Sequence, residues 1–186
     1  MIAEKSDLEL LALTTAGDRG AFSELVLRHQ GKVLGLAYRF SRDRQDAEEL
    51  AQEVFFKAWR NAGSFRGESA FATWLYRLAV NCCLNNRQGR KVRPDPQPLA
   101  GDLVAGTRPA ADEMIAAERE AQLKKALDAL PARQRMALVL ASFEDRSYEE
   151  IAAAMEASVP AVESLLFRAR KNLAAILRPL KKKGEI

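Results

Sequence analysis

The stretch SYEEIAAAMEASVPAVESLLFRARKNL, residues 147–173, contains two helical signals separated by a tight turn. Ser147 and Glu150 form a capping box, in which the serine hydroxyl and the glutamate carboxylate each bond a backbone N–H at a helix start. That helix is short, because residues 156–158 form a turn and Ser158 caps a second, longer helix that is predicted to run from Val159 to about Leu177. A short helix, a tight turn and a longer helix are the helix-turn-helix pattern of DNA-binding proteins.

The apolar spacing of the longer helix predicts which of its faces meets solvent. Its buried stripe would be Val162, Leu166, Ala169 and Leu173. The opposite face would meet DNA through Ala161, Ser164, Leu165, Arg168 and Lys171, with Glu163, Phe167 and Arg170 at its flanks. Arg168 suits guanine edges or phosphate, and Glu163 suits the amino group of cytosine. The helix starts at Ser147 and Ser158 can hold phosphates. The alternative is an ordinary helical hairpin with a solvated basic face.

The rest of the chain also has the helical period, and no segment alternates like a strand. Four helices are predicted near residues 7–17, 18–41, 43–61 and 69–88. In the second helix, six residues are available for burial: Phe22, Leu25, Val26, Val33, Leu36 and Tyr38. In the third helix, the apolar spacing predicts a buried stripe: Ala47, Leu50, Val54 and Ala58. Residues 91–111 then contain four prolines and two glycines, which no regular helix tolerates. We therefore predict an all-α protein of two small helical domains: residues 1–93, a flexible Pro/Gly-rich linker at 94–111, and residues 112–186 with the helix-turn-helix.

The composition restricts the class of function. The chain has 186 residues and a net charge of +4, but residues 60–93 alone carry seven basic residues against one acidic residue. Such segregation predicts an anionic partner and a basic one. The only cysteines, Cys82 and Cys83, are adjacent, and we predict that they pack as small apolar side chains; a redox sensor is the alternative. Since His29 is the only histidine, we predict no metal site, no cofactor and no enzyme activity. Without a signal peptide or an apolar span, we expect a cytoplasmic protein that does not insert into membranes.

The predicted third helix carries a polar face that we call the acidic ridge. Its members follow a spacing of three or four residues: Asp46, Glu49, Gln52, Glu53 and Phe56. Nucleic acid would be repelled by these carboxylates, whereas a basic protein surface would be attracted. The alternative is a solvated helix face without a partner.

The stretch FRGESAFATWLYRLAVN, residues 65–81, combines rings, cations and amides. Trp74, Arg77 and Asn81 share one helix face, and Phe65 and Arg66 lie in the preceding loop. Rings stack on bases, arginine binds phosphate and asparagine pairs with a base edge, which suits single-stranded or splayed DNA. The alternative is that the rings belong to the core.

Together these motifs resemble the bacterial sigma-70 factors, specifically the small extracytoplasmic-function group. DAEELAQEVFFKAW is similar to that group's segment for the coiled coil of the polymerase β′ subunit. FRGESAFATWLYRLAVNCCLNNRQGRK resembles its promoter-melting segment, and residues 147–173 with the preceding helix resemble its upstream-element reader. The resemblance implies a transcription initiation factor that docks on core RNA polymerase, opens specific promoters and is held inactive by an anti-sigma factor.

The resemblance also implies a role for each residue. The acidic ridge would dock on core polymerase. Phe65 and its loop would receive a base flipped from the minus-ten element, and Asn81 would contact that element. Trp74 and Arg77 would support the separated strand, and three basic residues would hold its backbone: Arg87, Arg90 and Lys91. The final helix would read the minus-thirty-five element, with Glu163 and Leu165 where family members often carry Arg or Lys.

Two other hypotheses fit parts of the sequence. A free-standing helix-turn-helix regulator would bind a palindromic duplex tightly by itself. A pure interaction protein would use the acidic ridge to sequester a partner, independently of DNA. The sigma hypothesis differs from both because it predicts weak promoter binding by the free protein and strong binding once core polymerase is present.

Overall fold

The computed structural model describes residues 2–86, 121–144 and 146–183. Within these ranges the chain is helical and has no strand, which confirms the predicted all-α fold. The α-helices are α1 (Asp7–Thr15), α2 (Arg19–Ser41), α3 (Arg44–Asn61), α4 (Phe71–Asn86), α5 (residues 121–128), α6 (Ala132–Phe143), α7 (Tyr148–Ala154) and α8 (Val159–Lys183). Short 3-10 helices cover Ile2–Glu4 and Ala62–Ser64. The predicted linker, residues 94–111, lies outside the described residues.

Side-chain caps determine where the first helices begin. Ser6 and Glu9 form a capping box at α1, in which the Ser6 backbone N–H donates to the Glu9 carboxylate at 2.7 Å. Asp18 caps α2 and Asp43 caps α3, each by accepting a backbone N–H three residues later at 3.1 Å. Each cap satisfies a backbone donor that the helix itself leaves open. The caps set the register in which α1, α2 and α3 present their apolar faces.

The core of the first half lies where α2 packs against α1, α3 and α4. The predicted stripe of α3 is buried throughout: Ala47, Leu50, Val54 and Ala58. Leu25 and Leu36 of α2 have no exposed surface, and burying such a side chain contributes about 2 kcal/mol. Tyr38, which the period also assigned to the core, is 45% exposed, so that prediction is wrong. Its ring lies on the outer face of α2 because Ala37 and Phe40 take the inner positions.

The second half contains the helix-turn-helix. Val162, Leu166 and Ala169 of α8 are buried, as their spacing predicts, whereas Leu173, the fourth member of the predicted stripe, is partly exposed. The turn after α7 places Glu156 in the left-handed region, with φ 49°, which ends α7 and lets the chain turn into α8. The two helices pack against each other. The helix α8 extends to Lys183, beyond the predicted end near residue 177.

The two halves of the described chain are in contact, which the periodicity did not predict. Helices α2 and α4 of the first half touch α6, and α4 also touches α7. The buried apolar residues of both halves form one continuous cluster. The chain therefore folds so that the helix-turn-helix lies beside the helix that bears the predicted promoter-melting residues.

No helix in the described part of the chain combines the length and the apolar character needed to cross a bilayer. The described residues also contain no group of three or more His, Cys, Asp and Glu side chains arranged to hold a metal ion.

Candidate polymerase and DNA interfaces

Most of the acidic ridge lies on the solvent side of α3. Glu49 and Gln52 are exposed, and the Phe56 ring is 61% exposed. Glu53 forms an ion pair with Lys57 one turn later, at 2.6 Å. A protein that docked on this surface would bury the apolar ring of Phe56, and the carboxylates would attract its basic groups.

Asp46 differs from the other members of the acidic ridge. It lies in the first turn of α3 and is only partly exposed. A small cleft beside it is also lined by Phe40 of α2, Cys83 of α4 and Arg135 of α6. Asp46 therefore faces the junction of the two halves. At the N-terminal end of α3 the acidic ridge curves around the helix, so its first member points in a different direction from the others.

Three rings form an aromatic cluster at the start of α4: Phe65, Phe71 and Trp74. The ring centres of Phe65 and Trp74 are 5.4 Å apart, and those of Phe71 and Trp74 are 5.7 Å apart. Phe71 is a core residue with 2% exposure, whereas Phe65 and Trp74 are half-buried. The alternative interpretation, in which these rings belong to the core, is therefore correct for Phe71 and partly correct for Phe65 and Trp74. The chain turns at Gly67, with φ 71°, so that the Phe65 ring packs against Phe71 and Trp74 while Arg66 stays exposed.

The predicted minus-ten face of α4 meets the second half of the chain. The Asn81 side-chain amide donates to a carboxylate oxygen of Glu156, at 3.1 Å, in the turn of the helix-turn-helix. Arg77 is exposed and lines a cavity of about 340 Å³ between the halves, together with Lys32 and Arg146. The predicted backbone-binding residues Arg87, Arg90 and Lys91 lie outside the described residues.

The two capping serines have the geometry that the sequence predicts. Ser147 accepts the backbone N–H of Glu150 at 3.2 Å, and its own N–H donates to the Glu150 carboxylate at 2.9 Å. These bonds, followed by the Arg146 guanidinium, hold the pKa of Glu150 below its ordinary value. Ser158 accepts the backbone N–H of Ala161 at 3.4 Å. Since each hydroxyl acts as an acceptor in its cap, its O–H proton is available to a phosphate.

The exposed face of α8 is smaller than the sequence predicted. Glu163, Phe167, Arg168 and Lys171 are exposed, and Phe167 is 68% exposed. The Arg168 guanidinium donates to the Ser164 hydroxyl at 2.5 Å, which fixes the direction of the arginine along the helix. Leu165 is half-buried and packs against the core, so its surface available to a thymine methyl is limited.

Sequence reasoning missed the residues that join the halves. Arg135 on α6 is 1% exposed, forms an ion pair with Asp128 and lies with its guanidinium carbon 4.4 Å from the Phe40 ring centre. Arg146 lies 4.9 Å above the Tyr76 ring centre. Burial raises the pKa of Tyr76 to about 12. One signal was present: Arg135 precedes the buried Val139 by four residues and therefore shares its face of α6.

The adjacent cysteines lie in the core of α4. Burial raises the pKa of the Cys82 thiol, and it raises that of Cys83 to about 12. Both thiols are therefore protonated at neutral pH and act as small apolar side chains, which agrees with the packing role predicted from the sequence.

Comparison with known families matches both halves of the chain. Residues 25–92 match Sigma-70 region 2, and residues 120–173 match Sigma-70, region 4. The RNA polymerase sigma-H factor of Pseudomonas aeruginosa is 40% identical over 97% of this chain and 98% of its own length. The ECF RNA polymerase sigma-E factor of Haemophilus influenzae is 39% identical over 97% of this chain and all of its own length.

The chain belongs to the sigma-70 family, in its extracytoplasmic-function group. Members of this family are transcription initiation factors rather than enzymes. In this sigma factor, region 2 contains α3 and α4, with the acidic ridge and the aromatic cluster, and region 4 contains the helix-turn-helix.

Solved structures share the fold of this sigma factor. CnrH in complex with the cytosolic domain of CnrY is similar with a TM-score of 0.63 and 27% identity, over 94% of this chain and 99% of that chain. The sigma factor RpoE in complex with the anti-sigma factor NepR, from Bartonella quintana, has a TM-score of 0.56 and 26% identity, over 84% of this chain and 96% of that chain.

Proposed function

We propose that this sigma factor docks on the β′ coiled coil of core RNA polymerase through the acidic ridge, chiefly Glu49, Gln52, Glu53 and Phe56. The observation that carries the proposal is the exposure of these residues on a helix whose opposite stripe is completely buried. Glu49, Gln52 and Phe56 lie outside the core, and Phe56 exposes an apolar ring that water solvates poorly. Asp46 would add charge at the end of the surface, next to the second half.

We infer that α4 and its preceding loop contact the melted minus-ten element. The half-buried rings of Phe65 and Trp74 supply a stacking surface, and stacking is worth roughly 1–3 kcal/mol per base. Arg66 and Arg77 are exposed and supply charge, and the Asn81 amide supplies donors for a base edge. Arg87, Arg90 and Lys91 would hold the strand backbone beyond α4.

The exposed face of α8 suits the major groove of the minus-thirty-five element. Arg168, held by Ser164, presents a fixed guanidinium for guanine or phosphate, and Lys171 adds charge one turn later. Glu163 would accept from cytosine, and Phe167 would touch a thymine methyl. Ser147 and Ser158 would donate to phosphates that flank the groove.

An anti-sigma factor is the inhibitor that we propose for this protein. The similar RpoE structure was solved with the anti-sigma factor NepR, and the similar CnrH structure with a domain of CnrY. The proposed division of the chain is a region 2 domain at residues 1–93, a linker at 94–111 and a region 4 domain at 112–186. We further propose a cytoplasmic protein without enzyme activity, since every role assigned above is binding to polymerase or DNA.

The experiment that tests this function is binding to a labelled fork-junction promoter at a fixed salt concentration, with and without core RNA polymerase. We expect weak binding by the free protein and strong binding when core is present. Tight binding to intact duplex without core would instead identify a free-standing regulator. Core binding without any dependence on DNA sequence would identify an interaction protein.

A further inference from the structure

We propose that the cavity between α2, α4 and α7 is a binding site for a small phosphate monoester, in which cations hold the phosphate and an apolar wall holds the organic group. The volume of about 340 Å³ lies within the range of small-molecule sites, about 300–1,000 Å³. Neither polymerase docking nor promoter binding requires a small ligand here. The site therefore stands or falls independently of the roles proposed above.

The cavity carries an excess of positive charge. Three cationic side chains line it: Lys32 of α2, Arg77 of α4 and Arg146 before α7. Among the described residues that line it, only Glu150 has a carboxylate, and this group is bonded to the Arg146 guanidinium at 2.8 Å. Within the part of the chain that the structure describes, the side chains of Lys32 and Arg77 have no hydrogen-bond or ion-pair partner. An anion in the cavity would be a partner for both.

The Tyr76 hydroxyl at the same cavity is an unsatisfied donor. Its oxygen is buried, and no described group of the chain has hydrogen-bond geometry to it. A buried hydroxyl without a partner is unfavourable, and most such groups in folded proteins are satisfied. A phosphate oxygen would accept this O–H, since it is a strong hydrogen-bond acceptor. The hydroxyl is thus a second observation, independent of the charges, that favours an anionic ligand.

The donors at the cavity favour a phosphate over a carboxylate. An arginine offers a planar fork of N–H groups, a lysine offers a compact charge, and the hydroxyls of Thr73 and Tyr76 add donors from α4. Such donors on different helices suit an anion with three terminal oxygens and a charge close to two negative units. A carboxylate has only two oxygens in one plane, so it would leave some of these donors without a partner.

The remaining wall favours an organic ester over inorganic phosphate. It consists largely of apolar side chains: Val33, Ala72, Leu75, Ala153 and Ala154. Inorganic phosphate would leave this apolar surface in contact with water. An aromatic or aliphatic group on the phosphate would cover it, and removal of apolar surface from water is favourable.

The aromatic residues favour a small molecule over a DNA strand at this place. Single strands bind along a charged groove in which successive bases stack on aromatic rings. The rings of Phe65 and Trp74 do not line the cavity. One face of the Tyr76 ring is covered by the Arg146 guanidinium, whose carbon lies 4.9 Å from the ring centre. The cavity thus has the charges of a phosphate site without an open platform for bases.

Titration of the free protein tests the site with two probes, inorganic phosphate and phenyl phosphate. Sodium chloride keeps the ionic strength constant, so that screening of the surface charges does not change. The backbone amide NMR signals of Lys32, Thr73 and Arg77 should shift saturably with both probes. Phenyl phosphate should bind roughly tenfold more tightly, because its ring covers the apolar wall. Equal affinity for the two probes would overturn the assignment to an ester.

Substitutions in the cavity test which groups hold the phosphate. Lys32→Gln and Arg77→Gln should each weaken phenyl phosphate binding roughly tenfold, since each removes a charged hydrogen bond. Both side chains are exposed, so the fold should be kept. Tyr76→Phe should also weaken binding, although the ring stays in place. Lys125→Gln on α5 is the matched control: it removes the same unit of charge from an exposed position outside the cavity and should bind like the wild type.

Two results would overturn the site. One is the absence of a saturable shift with either probe, and the other is wild-type affinity in both Lys32→Gln and Arg77→Gln. If these two variants lost affinity for a single-stranded oligonucleotide but kept their affinity for phenyl phosphate, the cations would belong to a DNA surface instead.

The outcome for the proposed function is measured separately, because the titration contains neither DNA nor polymerase. Saturable phosphate binding without core-dependent promoter binding would support the site and refute the proposed function, and the opposite pair of results would refute the site alone. One consequence does rest on the proposed function: Arg77 also belongs to the proposed minus-ten surface, so a bound ester would compete with the separated strand for its guanidinium.

Discussion

The guanidinium carbon of Arg135 on α6 lies 4.4 Å from the centre of the Phe40 ring on α2, so a cation of region 4 is buried against region 2. Arginine stays protonated even when its side chain is buried. Its charge is compensated by the ion pair with Asp128 and by the electron-rich face of the ring. Arg135 is thus the most buried charged side chain at the junction of the halves, with 1% exposure.

Replacement of this arginine tests its contribution to stability. Arg135→Ala should lower the free energy of unfolding by about 2 kcal/mol, less than for a fully buried pair since the Asp128 side chain is 35% exposed. Urea unfolding followed by circular dichroism would measure the change. Arg168→Ala on the exposed face of α8 is the control, with an expected change below about 0.5 kcal/mol. Equal losses in the two variants would contradict the role of Arg135.

Charge reversal on α3 tests the acidic ridge. Glu53→Lys should abolish binding to core polymerase, because it places a cation where a basic surface is expected to dock. The fold should survive, since Glu53 is partly exposed and its ion pair with Lys57 contributes only about 0.5 kcal/mol. Glu149→Lys, which reverses an exposed charge in the first turn of α7 instead of α3, is the matched control and should keep its affinity for core. Unchanged affinity in Glu53→Lys would show that the ridge is a solvated face.

The asparagine on α4 has a predicted effect on promoter opening. Asn81→Ala should weaken the opening of the minus-ten element, measured by permanganate reactivity of unpaired thymines, while binding to core stays unchanged. Glu156→Gly is the companion variant, since it removes the same intramolecular hydrogen bond but keeps the amide for DNA. A loss of core binding in Asn81→Ala would mean that Asn81 has a structural role instead.

Alkaline pH should destabilise the protein through Tyr76. Its pKa rises from 10 to about 12, first because the ring is buried and second because Glu144 is near. The folded state therefore keeps the proton when the unfolded state has lost it, so the stabilisation is present below pH 10 and disappears as the pH rises toward 12. Tyr76→Phe should flatten this decline in the free energy of unfolding, and Tyr38→Phe on the exposed face of α2 should not. A parallel decline in wild type and Tyr76→Phe would contradict the assignment.

Thiol reactivity tests the packing of the adjacent cysteines. With a pKa of about 12, Cys83 has roughly one thiolate in 10⁴ at pH 8, and burial also raises the pKa of Cys82. Neither should react with a thiol reagent in the native protein, and both should react in denaturant. A cysteine introduced at the exposed Gln30 is the positive control. Rapid native labelling of Cys82 or Cys83 would reopen a redox role.

The sequence predicted the helices best where caps and apolar spacing agree. The stripe of α3 from Ala47 to Ala58 is buried as predicted, and the capping box of Ser147 and Glu150 begins α7. Tyr38 departs from its predicted place, because a long amphipathic ring at the edge of an apolar face can turn either way. Local signals of this kind are short-range, so they locate elements and faces but not the partners of those faces.

In the candidate sites too, local sequence patterns predicted which side chains are exposed but not what the others contact. Exposure of Glu49, Gln52 and Phe56 followed from the helical period alone. Leu165 packs against the core although the period assigned it to the DNA face, since it lies at the boundary of the buried stripe. Asp46 has the same ridge spacing as its neighbours, yet the second half of the chain covers its side.

By itself the sequence determined the all-α class, the capped helix starts, the helix-turn-helix and the order of regions 2 and 4, because each depends on residues within a few turns of one another. Only the tertiary structure decided that the halves are in contact, that Arg135 is buried on Phe40 and that Asn81 bonds Glu156. Those contacts join residues separated by 75 or more positions, and no local pattern specifies which surface a folded helix will meet. Packing of the whole chain selects them, through the charges and apolar area that the two halves present to each other.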